Sequence, residues 1–441
     1  MTRCVGTTGS WAWLAAALAV LSACGGDDAG AAAGGGVQAA VSYYRDVKPI
    51  FDARCAGCHS DGGVAPFSLE GHETAASWAA PIKRAVVERT MPPWPADNRC
   101  AEYVGDRSLS EQQIQTIAAW VDGGAAVGDP ADEGPPIDPP ASAALARVDR
   151  TLEMPVEYTP QTGPDEYRCF VIDWPEDAVR YVTGFGIRPG EQRVVHHVIA
   201  FIAAPDQLAE LDALDAADPG PGYPCYGGPG LKPRWLGGWV PGGGSMIFPQ
   251  GAGTRIEPGS RLIMQVHYNT LTAGKLPDRT AIDVTLESSV EREGTMQPWA
   301  NPAWLTGDSM LIPALESDVV HRWGADPSRA LAGSEPIEIH WVGLHMHTLG
   351  TRARLEIERA GGGSECVLDI PRWDFHWQGN YKLAEPKVLE PGDKLSIECH
   401  WDNTPEKQPI IDGQPRVPGD VVWGEGTTDE MCLGTFYMTG R

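Results

Sequence analysis

Residues 340–350 read His-Trp-Val-Gly-Leu-His-Met-His-Thr-Leu-Gly, and this stretch indicates both the fold and the chemistry of the chain. His345 and His347 are two residues apart, so on a β-strand both imidazoles point to the same face and can bind one metal ion. Upstream, Ile337, Ile339 and Trp341 have the same parity and mark the apolar face of that strand. We therefore expect the two histidines to lie on the core-facing side of this strand, at the end that is open to solvent.

Short apolar or alternating runs continue on both sides of this strand, from about residue 148 onwards. Examples are Phe170–Asp173, Val194–Ile202, Arg261–Tyr268 and Lys394–Trp401. Such runs, separated by Gly and Pro, are typical of sandwich or barrel strands. The 52 Gly and 38 Pro among 441 residues also favour turn-rich β structure over long helices. Because about 290 residues exceed one ordinary domain, we expect two all-β domains, at 148–288 and 289–441.

A second histidine pair lies in one of these runs. His196 and His197 are adjacent, and adjacent strand residues normally face opposite sides of a sheet. Both reach one ion only where the strand is bulged or twisted, and the alternative is one core and one surface histidine. His267 ends another strand-like run and is the candidate third ligand. A lone strand histidine is otherwise a hydrogen-bonded core residue.

Met431 lies in the run Asp-Glu-Met-Cys at residues 429–432. A lone Met is more often a packing residue than a ligand. Two imidazoles and one thioether, however, form a soft, open site that suits Cu(I), and zinc rarely takes a thioether. Three imidazoles alone are compatible with zinc or copper.

Four short motifs carry a resemblance to a known family. They are Val-His-His-Val at 195–198, Gln-Val-His-Tyr at 265–268, Leu-His-Met-His-Thr at 344–348 and Asp-Glu-Met-Cys at 429–432. Each motif is weak alone, but the four in this order resemble the copper type II, ascorbate-dependent monooxygenases. The resemblance implies two jelly-roll-like β-sandwich domains. It also implies hydroxylation of a C–H bond of a small organic substrate by O2 and two electrons.

The same resemblance implies roles for individual residues. The first β domain would hold an electron-transfer copper, and the second would hold the copper that binds oxygen. The implied ligands are His196, His197 and His267 for the first copper, and His345, His347 and Met431 for the second. Gln265 and Tyr167 match family positions between the coppers and near the first copper, respectively. The implied disulfide bonds are Cys169–Cys225 and Cys399–Cys432.

This chain departs from the peptide-amidating members of the family at two positions. Those members carry an Arg and an Asn that anchor a peptide carboxylate, whereas this chain has Gly343 and Leu433. The departures argue against peptide amidation and favour a less anionic substrate.

Residues 42–127 have the pattern of a small helical domain. Cys55-Ala-Gly-Cys58-His59 is the attachment pattern of a c-type haem, in which the thiols form thioethers and the imidazole binds the iron. A redox dithiol or a zinc corner is the alternative. Met91, in a proline-rich loop, is the candidate sixth ligand, with His72 as the runner-up and a packing role as the alternative. The domain resembles the cytochrome c fold and closes with a helix that Ser110 and Gln113 cap.

Two cysteines of the predicted domains have no expected partner by resemblance. Cys100 lies in the helical domain and Cys366 in the second β domain. We hypothesise a disulfide bond between them that docks the helical domain. A semi-stiff proline-rich linker is expected at 128–147, between the helical and β parts.

The first 24 residues have the pattern of a targeting segment. Arg3 precedes an apolar run, and Leu-Ser-Ala-Cys at 21–24 resembles a bacterial lipobox. We expect cleavage before Cys24, lipid attachment to its thiol, and a flexible tether at 25–41. The alternative is an ordinary signal peptide with an incidental Cys. In both cases the mature chain is exported to the cell envelope, where disulfide bonds are permitted.

The sequence thus predicts an exported, lipid-anchored copper monooxygenase with two copper ions and one covalently attached haem c. Electrons from an ascorbate-like reductant or a redox protein would pass through the haem to the all-histidine copper and then to the Met-containing copper. The formal charge of −25 argues against nucleic acid as a partner, and the membrane is reached through the lipid alone. The alternative is a non-catalytic copper and haem electron carrier or copper-handling lipoprotein.

Replacing the predicted lipid acceptor tests the targeting segment. In a Cys24→Ala variant no thiol is available for acylation, so the protein should move from the membrane fraction to the soluble envelope fraction. Detergent partitioning and intact mass measure the change. An unchanged membrane association, with an unlipidated native protein, would contradict the lipobox.

Overall fold

The structure is a computed structural model. It describes residues 40–63, 65–139, 144–240, 244–270, 273–333, 335–411, 414–424 and 428–441. The predicted targeting segment, Cys24 and nearly all of the predicted tether lie outside the described residues. Among the helices that are described, none is long and apolar enough to span a membrane.

Residues 41–127 fold mainly as helices around an apolar core of their own. A π-helical turn at Tyr43–Val47 precedes α1 (Lys48–Arg54), α2 (His72–Ser77), α3 (Ala79–Val87), the short strand β1 (Tyr103–Val104) and α4 (Glu111–Asp122). The predicted cap of α4 is present: the Ser110 hydroxyl accepts from the Gln113 N–H at 3.2 Å, and the Gln113 side chain accepts from the Ser110 N–H at 2.9 Å. Helical structure is therefore present here, while the cytochrome c fold stays a prediction.

The first β-sandwich follows the helical part. Its elements are β2 (Arg150–Glu153), β3 (Asp165–Asp173), β4 (Arg180–Arg188), β5 (Val195–Ala203), α5 (Leu208–Ala216), β6 (Tyr223–Pro224), β7 (Arg234–Trp239), β8 (Met246–Ile247), β9 (Ala252–Ile256), β10 (Arg261–Asn269) and β11 (Ala281–Glu287). One layer has the antiparallel order β6-β3-β10-β5-β7. The other layer is built on β4, which pairs with β11, β8 and β9, and β11 pairs with β2. Apolar side chains of both layers form one buried core.

The second β-sandwich completes the chain. Its elements are β12 (Arg292–Trp299), β13 (Val319–Ala325), α6 (Ser328–Leu331), β14 (Ile337–His345), β15 (Gly350–Glu358), β16 (Ser364–Ile370), β17 (Asn380–Leu389), β18 (Lys394–Trp401), β19 (Ile410–Ile411), β20 (Gln414–Pro415) and β21 (Leu433–Gly440). One layer has the order β17-β14-β21-β12, and the other has the order β13-β18-β15-β16. The β-sandwich class is thus present in both halves, while a jelly-roll strand order stays a prediction.

Strand β12 joins the two sandwiches. It pairs with β21 over six residues, with β9 in parallel, and with β7 at Met296 and Trp235. Met296, Trp341 and Tyr437 of the second sandwich are buried in the core of the first. The two sandwiches therefore share a continuous apolar interface, which fixes the position of one relative to the other.

A β-bulge in β14 corrects the expected orientation of the histidine strand. The register of β14 shifts between Ile339 and Trp341 on both neighbouring strands. Ile337 and Ile339 lie in the core of the second sandwich, but Trp341 lies in that of the first. The prediction that His345 extends the row of Ile337 was therefore wrong, because the extra residue reverses the alternation of faces.

The helical domain docks on the second sandwich. Strand β1 pairs with β17, with Tyr103 opposite Leu383 and Val104 opposite Lys382. The hypothesised disulfide bond between Cys100 and Cys366 is present, with a Cα–Cα distance of 5.2 Å. The disulfide bonds Cys169–Cys225 and Cys399–Cys432 are present as well. All three bonds match the predicted pairing.

Removing the docking disulfide should destabilise the helical domain. We expect a Cys100→Ser/Cys366→Ser variant to lose about 2–4 kcal/mol in the free energy of unfolding, because its denatured chain is less constrained. Chemical denaturation followed by the fluorescence of the aromatic core measures this loss. Mass spectrometry of the native protein should find no free thiol at either position, and two free thiols there would contradict the bond.

Candidate metal centres

The first histidine cluster is assembled by a bulge between β5 and β10. His267 pairs with His197, but the next residue, Tyr268, pairs with Val195. His196 is therefore an extra residue on its strand, and its side chain turns to the same side as that of His197. The bulge that the adjacent pair requires is thus present.

Three imidazole nitrogens converge in this cluster. The Nδ1 atoms of His196 and His267 are 3.1 Å apart, those of His197 and His267 are 3.3 Å apart, and those of His196 and His197 are 3.4 Å apart. Nitrogens bound to one ion at about 2.0 Å with tetrahedral angles lie about 3.3 Å from each other. The triangle therefore has the dimensions of a three-histidine metal site.

Neighbouring groups prepare His267 for metal binding. Its Nε2 is 2.9 Å from Asp165 Oδ1, and the carboxylate accepts the ring proton. The proton on Nε2 leaves Nδ1 with a free lone pair. The Tyr167 ring stacks on the His267 ring, with a centroid distance of 4.1 Å. The tautomer and the ring plane are therefore both fixed.

Burial keeps these imidazoles neutral. It lowers the pKa of His196 to about 3 and the pKa of His197 well below its usual value. Burial also lowers the pKa of His267. Since only a neutral imidazole offers a lone pair, the cluster can take a cation at neutral pH without first losing protons.

The second cluster forms where β14 leaves its sheet. His345 pairs with Leu433, the first residue of β21, and the His347 main-chain N–H donates to the carboxylate of Glu430, the residue before Met431. The rings of His345 and His347 have a centroid distance of 5.0 Å. The structure thus brings the two predicted histidines together, with the predicted Met on the adjoining segment.

Hydrogen bonds fix the second pair through the opposite ring nitrogen. His345 Nδ1 donates to Gln378 Oε1 at 2.5 Å, and His347 Nδ1 donates to the Asp429 carbonyl oxygen at 3.1 Å. A proton on Nδ1 places the lone pair of each ring on Nε2, the nitrogen through which a metal would bind. Burial, together with the proximity of His347, lowers the pKa of His345 to about 3.

Both chain neighbours of Met431 hold it in place. The buried carboxylate of Glu430 accepts from the His347 N–H at 2.9 Å, the Leu349 N–H at 2.7 Å and Trp401 Nε1 at 2.9 Å. On the other side, Cys432 is bonded to Cys399. Met431 itself is 4% exposed. Hydrogen bonds from Glu430 therefore hold the segment of Met431 against the segment of His347.

One cavity of about 2000 Å³ connects the clusters with the helical domain. Its wall includes His197, His345, His347, Met431, Gln265 and Tyr167. Gln265 Nε2 donates to the Cys225 carbonyl oxygen at 2.7 Å, so the side chain is held at the cavity wall. A substrate in this cavity could reach both clusters.

The sequence did not indicate several residues that position these clusters. Asp165, Gln378 and Glu430 each bind a histidine segment, and His376 lies beside His196 with a ring centroid distance of 6.2 Å. Glu430 lies within a quoted motif and could have been singled out by its position before Met431. The other three have no sequence signal, because their contacts depend on strand register and on loop conformation.

The Cys-x-x-Cys-His residues line the same cavity. Among the described residues, Cys55 and Cys58 are the cysteines outside disulfide bonds. Burial raises the pKa of Cys55 to about 12, whereas a redox dithiol depends on a lowered pKa. His59 Nδ1 donates to the Phe67 carbonyl oxygen at 3.0 Å, which leaves Nε2 free for a metal. These features fit a haem site better than a redox dithiol.

The two candidates for the sixth haem ligand lie in different environments. Met91 is on the cavity wall with Cys55 and His59. His72 Nε2 is instead 2.8 Å from the Ala125 carbonyl oxygen, and its ring packs edge-on against Tyr43. His72 therefore has a structural role, and Met91 stays the predicted ligand.

Part of the chain matches a known family. Residues 305–439 match the model of the C-terminal domain of the copper type II ascorbate-dependent monooxygenases. DBH-like monooxygenase protein 1 from Gallus gallus is 24% identical over 263 residues, covering 56% of this chain and 39% of the relative. DBH-like monooxygenase protein 2 from Mus musculus is 24% identical over 263 residues, covering 57% of this chain and 39% of the relative. The chain thus spans about two fifths of the length of these relatives.

Both findings support the copper-monooxygenase class that the motifs predicted, and copper as the metal of that class. Among solved structures, the major capsid protein P2 from bacteriophage PM2 aligns with 66% of this chain and 97% of its own, at 8% identity and a TM-score of 0.25. That likeness is too weak to bear on the fold.

The hydrogen bond from Asp165 to His267 predicts a selective loss of copper. An Asp165→Ala variant should bind copper about 10–100-fold more weakly at the first cluster, since the ring loses its orienting acceptor. Competition with a Cu(I) chelator measures the affinity. The matched control is Asp173→Ala, at the other end of β3, where the side chain is 86% exposed and pairs with Arg261. An equal loss in both variants would contradict the assignment.

Proposed function

We propose that this protein is a copper-dependent monooxygenase that hydroxylates a C–H bond of a small organic substrate. One oxygen atom of O2 enters the substrate as a hydroxyl group, and the other leaves as water with two electrons and two protons. The observation that carries the proposal is the arrangement of the predicted ligands in two clusters on one cavity. Copper bound there would supply oxygen activation and one-electron chemistry.

The residues of the two clusters suit different tasks. The first cluster offers three neutral imidazoles that are held by stacking and hydrogen bonds, which favours a metal that changes charge with little rearrangement. The second cluster offers two imidazoles and a thioether, a softer set with room for another ligand. This difference supports electron transfer at the first cluster and oxygen binding at the second.

The side chains beside Gly343 favour a substrate without a carboxylate at that place. A Cβ added to Gly343 would lie 2.7 Å from Asn380 Oδ1 and 2.7 Å from Thr435 Oγ1, so these neutral side chains fill the space beside that strand. Gly343 is two residues before His345 and shares its face. The place of a cationic anchor is therefore taken by uncharged hydrogen-bonding groups, which supports a substrate without a carboxylate.

The helical domain supports an internal electron supply. Cys55, Cys58, His59 and Met91 would hold a c-type haem, which supplies a one-electron carrier when bound. An ascorbate-like reductant or a redox protein would reduce it from outside. We further propose that the mature protein is exported and lipid-anchored through Cys24, as the targeting segment predicts.

Replacing Met431 tests the oxygen site. In a Met431→Leu variant, product formation should be lost, because the soft ligand is replaced by an alkyl group of similar volume. Copper at the first cluster and the haem absorption spectrum should be retained, since both lie on other segments. Product assays, copper analysis and optical spectra measure the three. Turnover at the native rate would contradict the assigned oxygen site.

Metal analysis separates this proposal from the non-catalytic alternative. Two coppers and one haem per chain, with O2 consumption coupled to product, would support the monooxygenase. Copper and haem without O2 consumption would favour an electron carrier or a copper-handling lipoprotein. Zinc in place of copper would reject both.

A further inference from the structure

The strand on which the helical domain docks continues into a loop that reaches the metal clusters. Strand β17, which pairs with β1, begins at Asn380, and the loop before it runs along the cavity wall. Tyr103 of β1 also donates from its hydroxyl to the Val367 carbonyl oxygen at 3.1 Å. The helical domain is therefore fixed against the segment that leads to the clusters.

An aromatic contact crosses this docking surface. Trp94 follows Met91 by three residues and contacts Tyr381 edge-on, with a centroid distance of 5.2 Å. Tyr103 contacts the same tyrosine at 5.5 Å. Trp94 and Tyr381 line the cavity together with Cys55 and His59. The loop of the predicted haem ligand thus touches a buried ring of the second sandwich.

The chain before Tyr381 then reaches both clusters. Three residues earlier, Gln378 Oε1 accepts from His345 Nδ1 at 2.5 Å. Two residues before that, the ring of His376 lies edge-on beside the ring of His196. The His376 and His196 rings have a centroid distance of 6.2 Å. Residues 376–381, the connecting segment, therefore contact the helical domain at one end and a histidine of each cluster at the other.

We propose that the connecting segment carries electrons from the haem cleft to the copper clusters, with the Trp94–Tyr381 contact as its first step. The inference rests on the proposed function. Electron tunnelling weakens far less along bonds, hydrogen bonds and touching rings than across open space, and this route follows such contacts from Trp94 to a histidine of each cluster. In each transfer one electron passes from ferrous haem to Cu(II), leaving ferric haem and Cu(I), and no bond is made or broken.

The structure offers one competing aromatic route. Tyr226 contacts Tyr167 edge-on at 4.9 Å, and Tyr167 stacks on His267. Tyr226 is 43% exposed, and among the described ring contacts it has none with the helical domain. This route suits a reductant that arrives through the cavity, and it serves as the matched control.

Flash photoreduction of the haem tests the connecting segment. In anaerobic, copper-loaded holoprotein, the decay of ferrous-haem absorbance reports the transfer, and freeze-quench EPR reports the loss of Cu(II). In Tyr381→Leu and Trp94→Leu variants the transfer should be slower by about tenfold or more, since an aromatic contact becomes a gap. Tyr381→Phe, which keeps the ring, and Tyr226→Leu should both retain the native rate.

The possible results distinguish failure of the proposed electron route from failure of the proposed monooxygenase function. A native rate in the Tyr381→Leu variant, or a slow rate in the Tyr226→Leu variant alone, would overturn the connecting segment while the monooxygenase stands. A native protein without haem or copper would overturn the proposed function itself. If the Tyr381→Leu variant does not fold, the partly exposed position of Trp94 carries the same test.

Discussion

The arrangement of the metal clusters depends on which nitrogen of each imidazole carries the proton. A neutral imidazole binds a metal only through the nitrogen without a proton, so the other nitrogen needs an acceptor. Asp165 provides that acceptor for His267, Gln378 for His345, and main-chain carbonyl groups for His347 and His59. The first cluster consequently presents Nδ1 atoms and the second presents Nε2 atoms.

The acceptors come from distant parts of the chain, so the clusters depend on the whole fold. Asp165 begins β3, which is one strand away from His267, and Gln378 precedes β17. Two β-bulges complete the geometry. The bulge in β5 turns His196 to the same side as His197. The bulge in β14 turns His345 away from the core of the second sandwich. On regular strands, His196 and His197 would face opposite sides of their sheet, and His345 would face the core of the second sandwich.

Local patterns explain what the sequence could predict. The i, i+2 spacing of His345 and His347, the Cys-x-x-Cys-His motif and the Ser110 cap are each contained in a few residues. The three disulfide bonds followed from resemblance and from the two cysteines left over. The reversal in β14 could not be predicted, because a bulge at His340 depends on how two neighbouring strands pair with it. The connecting segment was missed for the same reason, since the loop before β17 has no periodic pattern.

The docking disulfide has a consequence for how the chain is made. Cys100 and Cys366 are 266 positions apart, and the whole first sandwich lies between them. At about 5–20 residues per second, the ribosome completes Cys366 tens of seconds after Cys100. During that interval Cys100 has only wrong partners, including Cys55 and Cys58, which precede it in the chain. Correct oxidation therefore requires that Cys55 and Cys58 stay unpaired with Cys100 until Cys366 is available.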